Sequence, residues 1–111
     1  MEHDLIISRL EKHLKEQGCI TQTCEEFNIN GRKGECDLYG FDFKNRILCV
    51  YEVKSHHNPK NFFKARYQLQ KDEEYLKRLF FDFAPFKLVK FYCYSSRTEE
   101  TNRIAKEKVL D

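Results

Sequence analysis

None of the five cysteines (Cys19, Cys24, Cys36, Cys49 and Cys93) is spaced as C-x-x-C. A zinc ribbon needs close pairs, and a disulfide-built secreted domain ordinarily has an even count, so the chain fits neither class. Cys36 and Cys49 fall inside apolar runs, and the set reads as reduced and structural. Also missing are an apolar run long enough to cross a bilayer and the apolar segment of a signal peptide. The expectation is a cytoplasmic protein with no membrane partner. Without repeats, low-complexity tracts or internal linkers, 111 residues make a single domain, 1–111.

What is present is apolar and aromatic. A hydrophobic content of 41%, in regular runs, predicts a folded globule, and ten Phe with six Tyr predict an aromatic core. Net charge is only +2, but it is unevenly spread. Residues 31–66 hold eight cations (Arg32, Lys33, Lys44, Arg46, Lys54, Lys60, Lys64, Arg66) against four acids (Glu35, Asp37, Asp42, Glu52), a surplus of +4. A positive field around a carboxylate centre suits a polyanion handled with a metal ion. Lys44 and Arg46 flank a turn and read as a solvated basic face.

Hydrophobic periodicity gives the element order α-β-β-β-α-β-α. Ile6, Leu10, His13, Leu14 and Gln17 mark one face of a helix over 2–17, which Gly18 terminates. A strand is expected over 19–30, a turn at Gly31–Gly34, and strands at about 35–43 and 46–54 joined through Lys44-Asn45. The continuous apolar run Ile47–Tyr51 marks a central strand. Asn58-Pro59 starts a helix reaching about Phe80, with Phe62, Ala65, Leu69, Leu76 and Phe80 on one face; residues 82–85 break it. A strand at 87–94 follows, then a weakly amphipathic helix capped by Ser96 or Thr98 and containing Ile104 and Val109. The strands at 46–54 and 87–94 flank a helical crossover and should be parallel. The expected fold is α/β, a mixed sheet flanked by helices.

Chemistry is concentrated at two strand ends. Asp37 lies at the end of one apolar run, and Glu52-Val53-Lys54 ends the next. Side chains two apart share a strand face, so Glu52 and Lys54 project together while Val53 points the other way. Either acid alone reads as a strand-end ion-pair partner. Two buried acids beside a lysine are costly without a metal or partner, and together they suit phosphodiester cleavage.

The pattern acid, variable spacer, acid-x-Lys, here Asp37, Glu52 and Lys54, resembles the PD-(D/E)xK nuclease superfamily. Gly34-x-x-Asp37-Leu38 and the ending Glu52-x-Lys54-Ser55, after a short N-terminal helix, resemble the archaeal Holliday junction resolvases and their small relatives over roughly residues 1–95. Cys36 stands where many members have proline. The resemblance implies a restriction-endonuclease-like sheet, Mg²⁺ (with Mn²⁺ able to substitute) and no small-molecule cofactor. Asp37, Glu52 and the Val53 carbonyl would bind the metal, joined by Glu2 or else Asp4, and Lys54 would act on the attacking water. As a first-turn acid, Glu2 also has an ordinary helix-dipole reading. Relatives with an iron–sulfur cluster need four dedicated cysteines, and this chain has no such set.

The implied activity is DNA cleavage that is structure-selective, with no sequence reading. Arg32, Lys33, Lys60 and Lys64 would hold phosphates. Gln68 matches a glutamine-leucine element that helps position the site, or is an edge residue of its helix. His56 and His57 read as a solvated loop, and otherwise as lining the DNA path or relaying protons. Glu35 is expected to pair with Arg32. Phe81, Phe83 and Phe86 exceed what a small core hides and would form a homodimer face. Rival readings are a catalytically silent nucleic-acid-binding module and a repair or defence nuclease acting on flaps, ends or RNA.

Overall fold

The computed structural model describes residues 2–83, 86–95 and 104–106. Helix α1 (Glu2–Glu16) precedes strands β1 (Ile20–Ile29), β2 (Arg32–Asp42) and β3 (Ile47–Lys54). Helix α2 (Pro59–Leu79) and a 3-10 turn (Phe81–Phe83) lead to β4 (Lys87–Ser95) and the short β5 (Ile104–Lys106). One mixed sheet has the order β1-β2-β3-β4-β5. β3 and β4 are parallel, as a helical crossover requires, and every other pairing is antiparallel.

Local chemistry explains the boundaries. Gly18, at φ +87, ends α1 with bonds from Gly18 N to Lys15 O and Cys19 N to Leu14 O, a Schellman cap. The β1–β2 turn is Asn30-Gly31, both at positive φ, as a two-residue I′ hairpin demands. Gly34 therefore lies inside β2, two residues beyond the turn, which corrects the Gly31–Gly34 expectation. A Cβ there would fall 2.4 Å from the Phe27 ring, which crosses Gly34 to stack on Tyr75 of α2. At the β2–β3 turn the Asp42 carboxylate accepts from Asn45 N and Nδ2.

Two apolar clusters hold the helices on opposite faces. Ile6, Ile7, Leu10 and Leu14 of α1 pack on Leu38, Tyr51, Val53 and Cys93. Leu69 and Leu76 of α2 pack on Cys36, Tyr39, Phe41, Leu48 and Val50. β3 is covered on both sides, as its unbroken apolar run predicts. His13 and Gln17 are exposed, so the α1 stripe is narrower than expected. Among the described residues, no helix is long and apolar enough to cross a membrane.

The expected C-terminal helix is corrected where the structure describes it. Ile104–Lys106 forms β5 against Cys93–Ser95, because β4 offers an open edge whose backbone groups need partners. Ser96, Thr98 and Val109 lie outside the described residues.

Asn58 is an N-cap, with its side-chain oxygen accepting from Asn61 N at 2.7 Å ahead of Pro59. Asn58→Ala should therefore cost about 1 kcal/mol, while Asn58→Ser stays within a few tenths, read as urea midpoints at constant slope.

Candidate active site

The site forms where strand alternation slips. Thr21 bonds Glu11 of α1, yet Glu25, four residues on, accepts from Tyr75 of α2. Leu38 packs with α1 and Cys36 with α2. Residues two or four apart share a face in a regular strand, so both strands change phase between these points. The ladder records the break: Thr23 pairs with Leu38 and Glu25 with Cys36, while Cys24, at φ +50, and Asp37 are skipped. The β2–β3 pairing also ends at Leu38–Tyr51. Beyond it the Asp37 carboxylate takes over, with Oδ2 accepting from Val53 N at 2.8 Å. Asp37 is thus buried and held by the backbone of the strand that carries Glu52.

Glu52 and Lys54 project together, as alternation predicts. Lys54 Nζ lies 3.8 Å from Glu52 Oε2, and Val53 turns into the α1 core. Glu52 is buried, and among the described residues its Oε1 has no hydrogen-bond donor. Burial first, then the negative charges of Asp37 and Asp72, push its pKa well above the ordinary glutamate value, against the pull of Lys54.

A third acid was not anticipated from the sequence. Asp72 has no exposed surface. Its Oδ1 accepts from Gln68 Nε2 at 2.9 Å, and the buried Cys36 thiol lies beside it. Burial raises its pKa to about 7, with Gln68 opposing and the Asp37 charge adding to the rise. The same Gln68 nitrogen donates to the Glu35 carbonyl at 2.9 Å, tying α2 to β2 two residues before Asp37. The missed signal was positional: Asp72 sits on the α2 stripe formed by Ala65, Leu69 and Leu76. His3 was also missed; its Nε2 lies 3.6 Å from Asp37 Oδ2 and its Nδ1 3.5 Å from Asp4. The Asp4 side chain is largely exposed, on the far side of that histidine.

The other expected residues are scattered around this centre. Glu2 begins α1, and its side chain lies outside the described residues. Arg32 pairs with Glu74 at 3.0 Å and not with Glu35, because α2 brings the glutamate across. Lys33 is exposed and its carbonyl accepts from Lys71. His56 and His57 are both exposed; His57 Nδ1 lies 3.0 Å from Tyr92 Oη and its ring stacks on Tyr94. Lys60 and Lys64 are exposed on α2. Phe81 is 76% exposed. Phe86 is half-buried and packs on Phe41 and Phe80; the Phe83 side chain lies outside the described residues. All five cysteines are free; Cys36 and Cys93 are buried and Cys24 is exposed.

Among the described residues, no group of three His, Cys, Asp or Glu side chains is arranged to hold a metal ion. A hard cation needs less than that: Mg²⁺ keeps several waters and takes one or two carboxylates plus substrate phosphate. Asp37, Glu52 and the unpartnered Glu52 Oε1 fit that demand. A cavity of about 740 Å³ runs along the β1–β2 hairpin beside Phe27 and Gly34, and its described lining includes neither Asp37 nor Glu52. Neither the family models, nor the curated proteins, nor the solved structures gave a match to this chain.

The raised acids set a pH dependence. A carboxyl whose folded pKa exceeds its unfolded value binds more protons when folded, so stability falls as pH rises from the unfolded value towards the folded one. For Asp72 that window runs from 3.8 to about 7. Without divalent ions the protein should be more stable at pH 5 than at pH 8. Asp72→Asn should flatten that difference by a few kcal/mol at most, read from urea unfolding at both pH values. An unchanged pH slope in the variant would count against a buried, proton-binding Asp72.

Proposed function

We propose that this chain is a Mg²⁺-dependent endonuclease of the PD-(D/E)xK type with a restriction-endonuclease-like fold. One observation carries the reading: the buried Asp37 and Glu52 sit on adjacent strands, bridged by the Val53 N–H bond, with Lys54 Nζ 3.8 Å from Glu52. Two buried carboxylates this close together are only partly compensated by the Val53 N–H and Lys54, and a cation taken up between them would offset the remaining cost. The order α-β-β-β-α-β, with antiparallel β2–β3 followed by parallel β3–β4, supports the same reading.

Asp37 and Glu52 would hold the ion, with the Val53 carbonyl as a further oxygen and Glu2 as a candidate from α1. When bound, Mg²⁺ supplies charge neutralisation and Lewis-acid polarisation of the phosphoryl group. Lys54, beside Glu52, would orient or activate the attacking water or contact a non-bridging phosphate oxygen. Gln68, fixed between Asp72 and the Glu35 carbonyl, keeps α2 and β2 in register around Asp37. Lys60 and Lys64 would hold phosphates without reading sequence. Branched DNA as substrate and a homodimer as the working form belong to the same proposal. Phe81 is the exposed aromatic that supports the second of these.

Asp37→Asn and Glu52→Gln should each abolish Mg²⁺-dependent nicking of plasmid. Fold should survive, since asparagine can still accept the Val53 N–H and glutamine removes an ill-solvated charge. Lys54→Ala should lose activity yet still titrate Mg²⁺ in a calorimeter. Nicking above a few per cent of wild type in both carboxylate variants would remove the assignment.

A further inference from the structure

Helix α2 opens with a cation, Lys60, where its own dipole disfavours one. From Ser55 to Lys71 there is no acid, while Lys60, Lys64, Arg66 and Lys71 are all cationic. The positive end of a helix dipole disfavours cations in the opening turns, and α2 has no acid in its first turn to offset them. A bound anion would resolve that conflict.

The same stretch exposes aromatic rings. Lys60, Phe63, Lys64, Tyr67 and Lys71 recur at helical spacing on the face opposite the buried Ala65, Leu69, Asp72 and Leu76. Phe63 is 63% and Tyr67 55% exposed. They are four residues apart, hence about 6 Å along the axis, within the reach between successive bases of an extended strand. Lys71 Nζ, tethered to the Lys33 carbonyl, sits 4.9 Å over the Tyr67 ring. Phe63 is braced edge-on by Phe62, which in turn meets Tyr92. Tyr92 pairs with Glu52 in the β3–β4 register, so the ring series reaches back to the carboxylates.

We propose that this face of α2 is a stacking ledge for unpaired nucleic acid, with bases on Phe63 and Tyr67 and phosphates on Lys60, Lys64 and Lys71. Single strands bind through cationic tracks interleaved with aromatic platforms, whereas a duplex hides its base faces within its own stack. Protein interfaces, by contrast, are depleted in lysine at their centres. The inference deepens the nuclease reading and rests on it for the location of the bond to be cut, with the ledge taking an unpaired strand of the branched substrate.

The test is binding by the full chain in EDTA, where no cleavage can intervene. The probes are a labelled twelve-nucleotide oligothymidylate carrying one 2-aminopurine and a blunt duplex of the same length. The expected result is at least tenfold tighter binding of the single strand, with 2-aminopurine emission changing on stacking. Phe63→Ala with Tyr67→Ala should weaken single-strand binding at least tenfold and abolish the emission change. Phe63→Tyr with Tyr67→Phe should restore both. Lys60→Gln with Lys64→Gln should weaken both probes and flatten the salt dependence. Equal or tighter duplex binding overturns the ledge, as does a twofold or smaller effect of the alanine pair. So does an effect of that pair on sedimentation in place of oligonucleotide affinity, which would mark a protein-docking face. Plasmid nicking with Mg²⁺ is scored separately, so a binder that never cuts would sink the nuclease reading and leave the ledge standing.

Discussion

The bond from Val53 N to Asp37 Oδ2 is the point on which the two halves of the site turn. A backbone donor in the middle of a sheet must find an acceptor, and β2 has already left the ladder one residue earlier. The Asp37 side chain supplies what the main chain no longer can. That exchange lets the strands part without an orphaned amide and fixes a carboxylate beside Glu52. The positive φ at Cys24 on β1 accompanies the phase change, so β1 and β2 adjust together around one aspartate while β3 stays regular.

From that constraint follows a concentration of negative charge. Asp37, Glu52 and Asp72 are all buried, and Lys54 stands beside Glu52 at the site's edge. Burial and mutual repulsion raise two of the three, and the same field with burial pushes the Cys36 thiol up, keeping it protonated. A hydrophobic core gains nothing from such a group; cores of this size are cheaper without it.

Much of this was readable beforehand, for identifiable reasons. Period-two alternation sets Glu52 and Lys54 on one face and Val53 on the other, a property of any strand that stays regular. Asn58-Pro59 and Gly18 encode their helix ends through side-chain and φ requirements that are local. Asp72 escaped because a helical acid looks ordinary until its stripe neighbours are known to face a sheet. His3 escaped for a similar reason, since its meaning depends on where β2 lies. The strand at Ile104–Lys106 was misread as helix because its conformation comes from the open edge of β4, a partner remote in sequence. The pairing of Arg32 with Glu74 likewise depends on tertiary contact across 42 residues.

The crossover between β3 and β4 has a kinetic consequence. β1, β2 and β3 are joined by tight turns, so Asp37, Glu52 and Lys54 can assemble through contacts close in sequence. Asp72 arrives only when α2 docks and β4 completes the parallel pair, a step that closes a longer loop. Like charges are therefore brought together late along the folding path. Protons or divalent cations that relieve the repulsion act on an interaction absent from an early nucleus, and so should slow unfolding more than they hasten folding.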